Sequence, residues 1–471
     1  MSKNSTKNRR KARKNSPKVR FESTGGNLTS QAGLIPVIKF LDKLGFTELF
    51  NRHVHHRRAK NAQYSLAEGV FLIMTGLIGG AFSIGKCVAL WSDGVLRQVA
   101  GWKRIPEETT VGRLFKEVGN RQISELETLV HAIRKVVWHR ALRAGVSRMA
   151  AQCTQWIDVD SSVKTVYGYQ EGTAKGYNPH KRGARSYHPL LAFSAHTKEI
   201  LQGWFRTGSA YTSNGIVEFM KQLMAQLPDY HRIVFRGDSG YFVGALLELL
   251  DQLGHGYLIK VKLKNLARLL GEQYWSPVRN RPGWEQCEFQ YQAQGWSHPR
   301  FFVAVRQLKE VENDHPQGEL LELEHYDYFC YVTTEPLSPW QAHRKYGERA
   351  TSETWIEEGK SQMGLAHIKT EHFLANAALF QSAILAYNTL RWMALMSGNK
   401  QLRQWEPETI RTFLVRVAGK LLTGGNQLTV KLPKEHLYPR PWEDWLALAR
   451  QPGPILSSGA TLWRGGRRGI A

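Results

Sequence analysis

The chain has 471 residues, of which 42% are hydrophobic and 11% aromatic, a composition that excludes an intrinsically disordered protein. Its 64 lysines and arginines outnumber its 40 acidic residues and give a formal charge of +24 at pH 7. Nine of these basic residues lie in the first 20 positions, and subtracting them still leaves +15 on the rest. A basic body of this kind favours a polyanionic partner such as nucleic acid.

Cysteine spacing and hydropathy both bear on the compartment. The four cysteines, Cys87, Cys153, Cys287 and Cys330, show no paired spacing, so they indicate neither a zinc site nor a disulfide framework. The longest apolar run, residues 69–82, is too short to cross a bilayer. No signal-peptide core precedes it. We therefore expect a cytoplasmic protein with no membrane partner.

The N-terminal third is predicted to be helical. Residues 1–30 form a basic, disordered tail that either solubilises the chain or contacts DNA. Residues 31–150 then show apolar residues at helical spacing and are predicted to form a DNA-binding domain. In the short helix after Pro106, Arg113 and Lys116 are candidates for contacts in the major groove. Helices packed for no other purpose would explain the same pattern.

An α/β pattern begins near residue 151. Residues 151–263 are predicted to form three strands, a helix, a strand, a helix and a strand, which is the order of a ribonuclease-H-like core. Residues 264–335 are predicted as a β-rich insertion whose last strand could return to that core. Residues 336–400 are predicted as core helices, and residues 401–471 as a helical and basic C-terminal region.

Carboxylates follow two of the predicted core strands. Asp160 ends the segment "WIDVD" and Asp238 ends "RIVFRGD", so neighbouring strands would bring the two side chains together. Glu353, from a later helix, would be the third. Three carboxylates suit Mg²⁺ or Mn²⁺, and two such ions can promote phosphodiester cleavage. Asp158 and Glu357 share the faces of Asp160 and Glu353 and are rival ligands.

A polar stripe accompanies the glutamate. If residues 344–360 form one helix, Tyr346, Arg349, Glu353 and Lys360 fall within roughly 60° of one another on a single face. Arg349 and Lys360 would then contact DNA phosphates beside the carboxylates. Because this segment is rich in charge on its other faces too, a solvated helix surface explains the spacing equally simply.

The order Y-x2-R-x3-E-x6-K of these four residues resembles the signature of bacterial insertion-sequence transposases of the DDE class that carry a β-insertion. Further segments resemble one branch, the insertion sequence thirteen-eighty family, and the likeness covers most of residues 105–395. They are "IDVDSSV", "GYQEGTAKGYNP", "SYHPLLAF" and "RGDSGYF". The resemblance implies a ribonuclease-H-like catalytic domain in which Asp160, Asp238 and Glu353 bind two Mg²⁺ or Mn²⁺ ions.

The resemblance also bears on the insertion. Related transposases that form DNA hairpins use an aromatic side chain from this region to stack an extruded base. Trp284 and Trp296 follow glycines in predicted turns, "PGW" and "QGW", from which a ring could project outward. Most tryptophans of a β-subdomain belong to its core instead.

The leading hypothesis is a cut-and-paste transposase that cuts double-stranded DNA at the terminal inverted repeats of its own element and joins the 3′-hydroxyl ends to target DNA. We expect it to act as a homodimer on DNA, in the cytoplasm of a bacterium and associated with the nucleoid. Two alternatives remain open: a catalytically inactive, transposase-derived DNA-binding regulator, and a stand-alone metal-dependent DNA nuclease.

Overall fold

The computed structural model describes most of the chain between residues 19 and 450. The described ranges are 19–59, 61–147, 154–176, 178, 181–211, 213–228, 231–309, 326–367, 370–425 and 427–450. Most of the predicted basic tail, Cys153 and the final basic segment lie outside these residues.

One large mixed sheet of nine strands organises the molecule, in the order β10-β11-β12-β13-β9-β8-β2-β6-β7. Its first five strands along the chain are β2 (Thr154–Ser161), β6 (Leu190–Ser194), β7 (Ile200–Trp204), β8 (Arg232–Gly237) and β9 (Gly256–Lys260). β2, β6 and β7 pair antiparallel, whereas β8 runs parallel to both β2 and β9. These five strands form one largely buried half of the sheet, with β7 at its edge, as their apolar and β-branched residues favour.

The β-rich insertion continues the same sheet. It contains the short helix α10 (Leu266–Gly271) and four strands, β10 (Ser276–Pro277), β11 (Trp284–Tyr291), β12 (Arg300–Leu308) and β13 (Tyr326–Thr333). β13 pairs antiparallel with β9, so the last strand of the insertion borders the core strands. The region predicted as an insertion is therefore continuous with the sheet rather than a separate layer.

Helices connect the parallel strands and cover the sheet. α8 (Ile216–Gln226) links β7 to β8, and α9 (Gly244–Gln252) links β8 to β9. After β13 come α11 (Pro339–Gly347), α12 (Ala350–Glu357) and α13 (Phe373–Met396). Every residue of α13 from Ala375 to Leu395 is buried, so this helix lies in the centre of the molecule rather than on its surface.

The N-terminal region is helical as far as residue 143, after the short strand β1 (Leu28–Thr29). Its helices are α1 (Leu34–Leu44), α2 (Phe46–His53), α3 (Leu66–Gly79), α4 (Ile84–Leu90), α5 (Gly94–Ala100), α6 (Glu108–Lys116) and α7 (Asn120–Arg143). A capping box at Ser65 and Glu68 starts α3. Both α3 and α7 pack directly against α13, and their buried side chains join one hydrophobic core with those of the sheet. The N-terminal helices therefore share a core with the sheet rather than packing only on one another.

The C-terminal region contains strands as well as the expected helices. It contains α14 (Lys400–Gln404), α15 (Pro407–Ile410), β14 (Gly419–Gly424), β15 (Gln427–Lys431) and α16 (Pro439–Arg450). β14 and β15 form a hairpin, and β1 adds a third strand to it. Gly425 has a φ of 57°, a conformation that glycine adopts readily in tight hairpin turns. Most residues of the two strands are exposed, so the hairpin lacks the apolar run that marks the buried strands of the large sheet.

A second small sheet, which the sequence did not predict, follows β2. Its strands are β3 (Lys164–Val166), β4 (Ala174–Lys175) and β5 (Arg185–Tyr187), in the order β3-β5-β4. Among the described residues, no single helix is long and apolar enough to span a membrane; the bent pair α3 and α4 passes that test only jointly, with an angle of 84° between its helices.

Candidate functional site

The ends of β2 and β8 bring two of the predicted carboxylates side by side. The parallel register pairs Asp158 with Arg236. Continuing it by two residues places Asp160 beside Asp238, which directly follows β8. Asp238 accepts a hydrogen bond from the Gly240 amide at 2.8 Å and so caps the turn after the strand.

Arg349 connects the strand ends to the predicted glutamate. Its guanidinium donates to Asp160 Oδ2 at 2.7 Å and to Glu353 Oε1 at 2.8 Å. Arg349 is only 6% exposed, whereas the Glu353 side chain is 61% exposed. One buried cation therefore holds together carboxylates from two distant segments of the chain.

The pKa shifts of Asp160 and Tyr346 reflect the charges of the neighbouring carboxylates and of Arg349. Burial raises the pKa of Asp160 to about 6; Arg349 opposes the shift, and the charges of Asp238 and Glu353 add to it. Burial is also the main cause that raises the pKa of Tyr346, to about 12, and all three carboxylates contribute in the same direction. The predicted triad, Arg349 and Tyr346 thus belong to one electrostatic cluster.

The segment predicted as one helix is broken. α11 ends at Gly347, α12 begins at Ala350, and a π-helical turn, Glu358–Gln362, follows. The Arg349 amide donates to Tyr346 O, three residues back, which tightens the chain at the break. Spacing at 100° per residue does not hold across it, and Lys360 pairs with Glu357 at 3.1 Å rather than with the triad.

Burial separates Asp160 from its rival. Asp158 is 1% exposed and forms a two-pronged ion pair with Arg236, which is equally buried. A carboxylate fully engaged in this way has a structural role. Glu357, the rival of Glu353, is exposed and pairs with Lys360.

The other predicted DNA-binding residues lie apart from this cluster. Arg113 and Lys116 are exposed on α6, where the sequence placed them. Trp284 is the first residue of β11, and its ring contacts those of Phe329, Trp340 and His343. The expectation of an outward-projecting ring is wrong for Trp284, since the strand turns its side chain onto the sheet face.

Trp296 is also half-buried rather than projecting. Its ring packs against Phe242, Tyr291 and Phe302, and the Arg300 guanidinium lies 4.5 Å from its centre. A glycine before a tryptophan in the sequence indicates a turn but does not fix the direction of the ring.

Sequence reasoning missed Tyr241, a buried tyrosine beside the carboxylates. Burial raises its pKa well above the usual value, and the charges of Asp160 and Asp238 add to the shift. The residue lies in the segment "RGDSGYF", three positions after Asp238, so proximity along the chain was the available signal.

A second acidic group lies elsewhere. Among the described residues, possible ligand atoms of Glu248, Asp251 and His298 lie within 4.8 Å of one another. Arg300 already donates to Asp251 at 2.8 Å and to Glu248 at 3.1 Å, so this group is an ion-pair network that ties α9 to β12. It does not coincide with the predicted triad, in which the Arg349 guanidinium lies between Asp160 and Glu353.

Comparisons with known proteins give one match over nearly the whole chain. The family model described as "Transposase DDE domain group 1" matches residues 11–451. No curated protein matches significantly. Among solved structures, the chain is similar to a piggyBac transposase in a synaptic complex with hairpin DNA, at 12% identity and a TM-score of 0.37, covering 79% of this chain and 81% of that one. Because this family model covers nearly the whole chain, the chain belongs to the group 1 DDE-domain transposases.

Proposed function

We propose that this transposase cuts double-stranded DNA at the terminal inverted repeats of its own insertion sequence and joins the 3′-hydroxyl ends to target DNA. Asp160, Asp238 and Glu353 would be its catalytic carboxylates. The observation that carries the proposal is the convergence of these side chains, from β2, the end of β8 and α12, around the Arg349 guanidinium.

The donor set suits divalent metal ions. Clustered carboxylates need a positive charge between them, and their oxygens are the ligands that Mg²⁺ and Mn²⁺ prefer. The raised pKa of Asp160 and the ion pair that it forms with Arg349 both indicate that these carboxylates require a nearby positive charge. Two ions bound here would activate the attacking oxygen and stabilise the leaving one. DDE-family membership implies such metal use.

The strand order supports a ribonuclease-H-like core. Three antiparallel strands, a helix, a parallel strand, a helix and another parallel strand occur in β2, β6, β7, β8 and β9 with α8 and α9 between the last three. In such a sheet the carboxyl ends of the parallel strands meet at one edge, which is where a site is best held. The assignment of the branch, the insertion sequence thirteen-eighty family, rests on the segments quoted above.

The DNA would be held by the remaining basic residues. Arg349 and Lys360 lie close to the carboxylates along the chain, and Tyr346 lies among them; Arg113 and Lys116 are exposed on α6. A metal ion bound by Asp160 and Glu353 would release Arg349 for phosphate binding. Because an insertion sequence has two inverted-repeat ends, we propose a homodimer assembled on DNA.

The test uses a linear DNA that carries the inverted repeats flanking the gene, with Mg²⁺ or Mn²⁺. Wild-type protein should cut at the repeat ends and covalently join labelled 3′ ends to a target plasmid. Asp160→Asn, Asp238→Asn and Glu353→Gln should each abolish cutting while DNA binding persists, and the exposed neighbour Glu357→Gln should retain it. Binding without any cutting would favour the regulator, and cutting without joined products the stand-alone nuclease.

A further inference from the structure

The small sheet after β2 carries two of the most exposed aromatic side chains in the described residues. Tyr167 is 80% exposed and Tyr169 is 91% exposed. Gly168 between them has a φ of 134°, which residues with a side chain rarely adopt, so this turn depends on glycine. Exposing two aromatic rings to water is unfavourable, and packing does not explain why both lie exposed on one structured turn.

Each ring is accompanied by a cation. Lys181 Nζ lies 4.7 Å from the centre of the Tyr167 ring, and Arg185 Cζ lies 5.3 Å from that of Tyr169. Arg185 is held in place by hydrogen bonds to the Thr173 hydroxyl and carbonyl, at 2.8 and 2.6 Å. A flat, exposed ring with a cation over one face offers its other face to a base and the cation's charge to the phosphate of that base.

Hydrogen bonds attach this small sheet to the rest of the fold. Lys164 Nζ donates to the Leu365 carbonyl at 2.5 Å, and the Glu171 amide donates to the Glu371 carbonyl at 2.9 Å. The Glu171 carboxylate accepts from the Phe373 amide at the start of α13. The exposed charged residues that flank the rings along the chain are Glu171 and the three basic residues Lys175, Lys181 and Arg182, so basic residues are in excess.

The sheet also lies near the proposed cutting site. Tyr167 follows Asp160 by seven positions, so their Cα atoms are at most about 25 Å apart. At about 3.4 Å per nucleotide along a strand, that is a reach of roughly seven nucleotides. A base inside an intact duplex is already stacked on its neighbours, whereas a base unpaired near a cut end can stack on an exposed ring.

We propose that Tyr167 and Tyr169, with Lys181 and Arg185, form a tyrosine platform that binds an unpaired DNA strand within about seven nucleotides of the cut. This inference rests on the proposed function for the position of the strand, but not for DNA binding itself. The platform differs from the tryptophans of the insertion, since its rings lie between β3 and β4, shortly after β2 along the chain, and have no aromatic partners among the contacts described.

The test measures binding of full-length protein to two fluorescent duplexes of one sequence, blunt or with a seven-nucleotide single-stranded overhang. The double variant Tyr167→Ala/Tyr169→Ala should weaken binding to the overhang duplex by about 10-fold or more and to the blunt duplex by less than about twofold. Tyr167→Phe/Tyr169→Phe keeps the rings and should bind like wild type. The equally exposed Tyr274→Ala is the matched control.

Charge variants separate stacking from phosphate contact. Lys181→Ala should lower the slope of log K against log salt on the overhang duplex by about 0.7, whereas the tyrosine variants should leave the slope unchanged. Circular dichroism of each variant confirms that it is folded. Equal overhang binding by wild type and the alanine double variant, or an equal loss in Tyr274→Ala, overturns the platform and leaves a protein-binding or purely solubilising surface.

Wild-type cutting of the inverted-repeat substrate is measured in parallel. Cutting without any dependence of overhang binding on Tyr167 and Tyr169 refutes the platform and leaves the proposed function intact. Overhang binding that depends on the rings, without cutting, refutes the proposed function and supports the platform as a DNA-binding site.

Discussion

At Arg349 a single side chain holds the centre of the candidate site. Its guanidinium binds Asp160 and Glu353, and the nearby carboxylates raise its own pKa in spite of its burial. Arg349 thus supplies the positive charge that these carboxylates require when they lie close together. A divalent ion that binds the same oxygens must compete with this guanidinium.

The first prediction follows from that competition. In Arg349→Gln, Mn²⁺ should bind the DNA-free protein more tightly, on the order of 10-fold, because one opposing charge near the ligands is gone. Titration followed by the electron paramagnetic resonance of free Mn²⁺ measures this directly. Lys345→Gln removes a charge from the same segment that pairs with Glu348 instead, and should change the affinity little. Unchanged Mn²⁺ binding in Arg349→Gln would show that the guanidinium does not compete.

The second prediction concerns Asp160 and pH, with divalent ions chelated. Its pKa is about 6 in the folded chain against an ordinary 3.8, so between these values the folded state binds more protons than the unfolded one. The contribution of Asp160 to the free energy of unfolding is therefore fully present below about pH 4 and is lost as the pH rises through 6. Compared with wild type, Asp160→Asn should gain stability across this window, by at most about 3 kcal/mol, and the difference should be constant above pH 7. Urea unfolding at several pH values measures it; a difference that does not vary with pH would contradict the shift.

At the scale of elements, regular patterns were predictable from the sequence and irregular ones were not. The sequence predicts β2, β8 and the long apolar helix α13 well, because their lengths and compositions fit few other secondary structures. The break at Gly347 and the π-helical turn after Glu357 depend on tertiary contacts, such as that of Arg349 with Asp160, that no local spacing encodes. The direction of a side chain at a turn, as for Trp296, is set by the rings that surround it in the fold, including the sequence-distant Phe242.

The third prediction belongs to the insertion. Because the Trp296 ring packs among Phe242, Tyr291 and Phe302, Trp296→Ala should lower the free energy of unfolding by about 2 to 4 kcal/mol. Trp296→Phe, which keeps an aromatic ring, should cost less. Urea denaturation measures both variants, alongside the nicking and hairpin steps on one labelled DNA end. An unchanged stability with selective loss of the hairpin step would instead assign the ring to an extruded base.

At the scale of the whole molecule, one buried carboxylate joins three parts of the fold. Glu199, in the turn between β6 and β7, accepts hydrogen bonds from the indole nitrogens of Trp138 on α7 and Trp392 on α13, at 2.6 and 2.7 Å. Its charge also faces Arg134 on α7, whose guanidinium donates to the Leu201 carbonyl. The N-terminal helices, the sheet and the central helix therefore share polar contacts as well as a hydrophobic core.

The fourth prediction is that the chain unfolds as one cooperative unit through this contact. Glu199→Ala leaves two buried indole N–H groups without their acceptor and removes the negative charge that faces the buried Arg134 guanidinium, and should cost about 3 to 5 kcal/mol. Tryptophan fluorescence and far-ultraviolet circular dichroism should give coincident transitions, shifted together in the variant. His196→Gln, an exposed change in the same turn, should leave both unchanged. A fragment of residues 1–150 lacks Glu199 and α13, so it should not reproduce this transition; a native-like, cooperatively folded fragment, or separate transitions in the full chain, would restore the N-terminal helices as an independent domain.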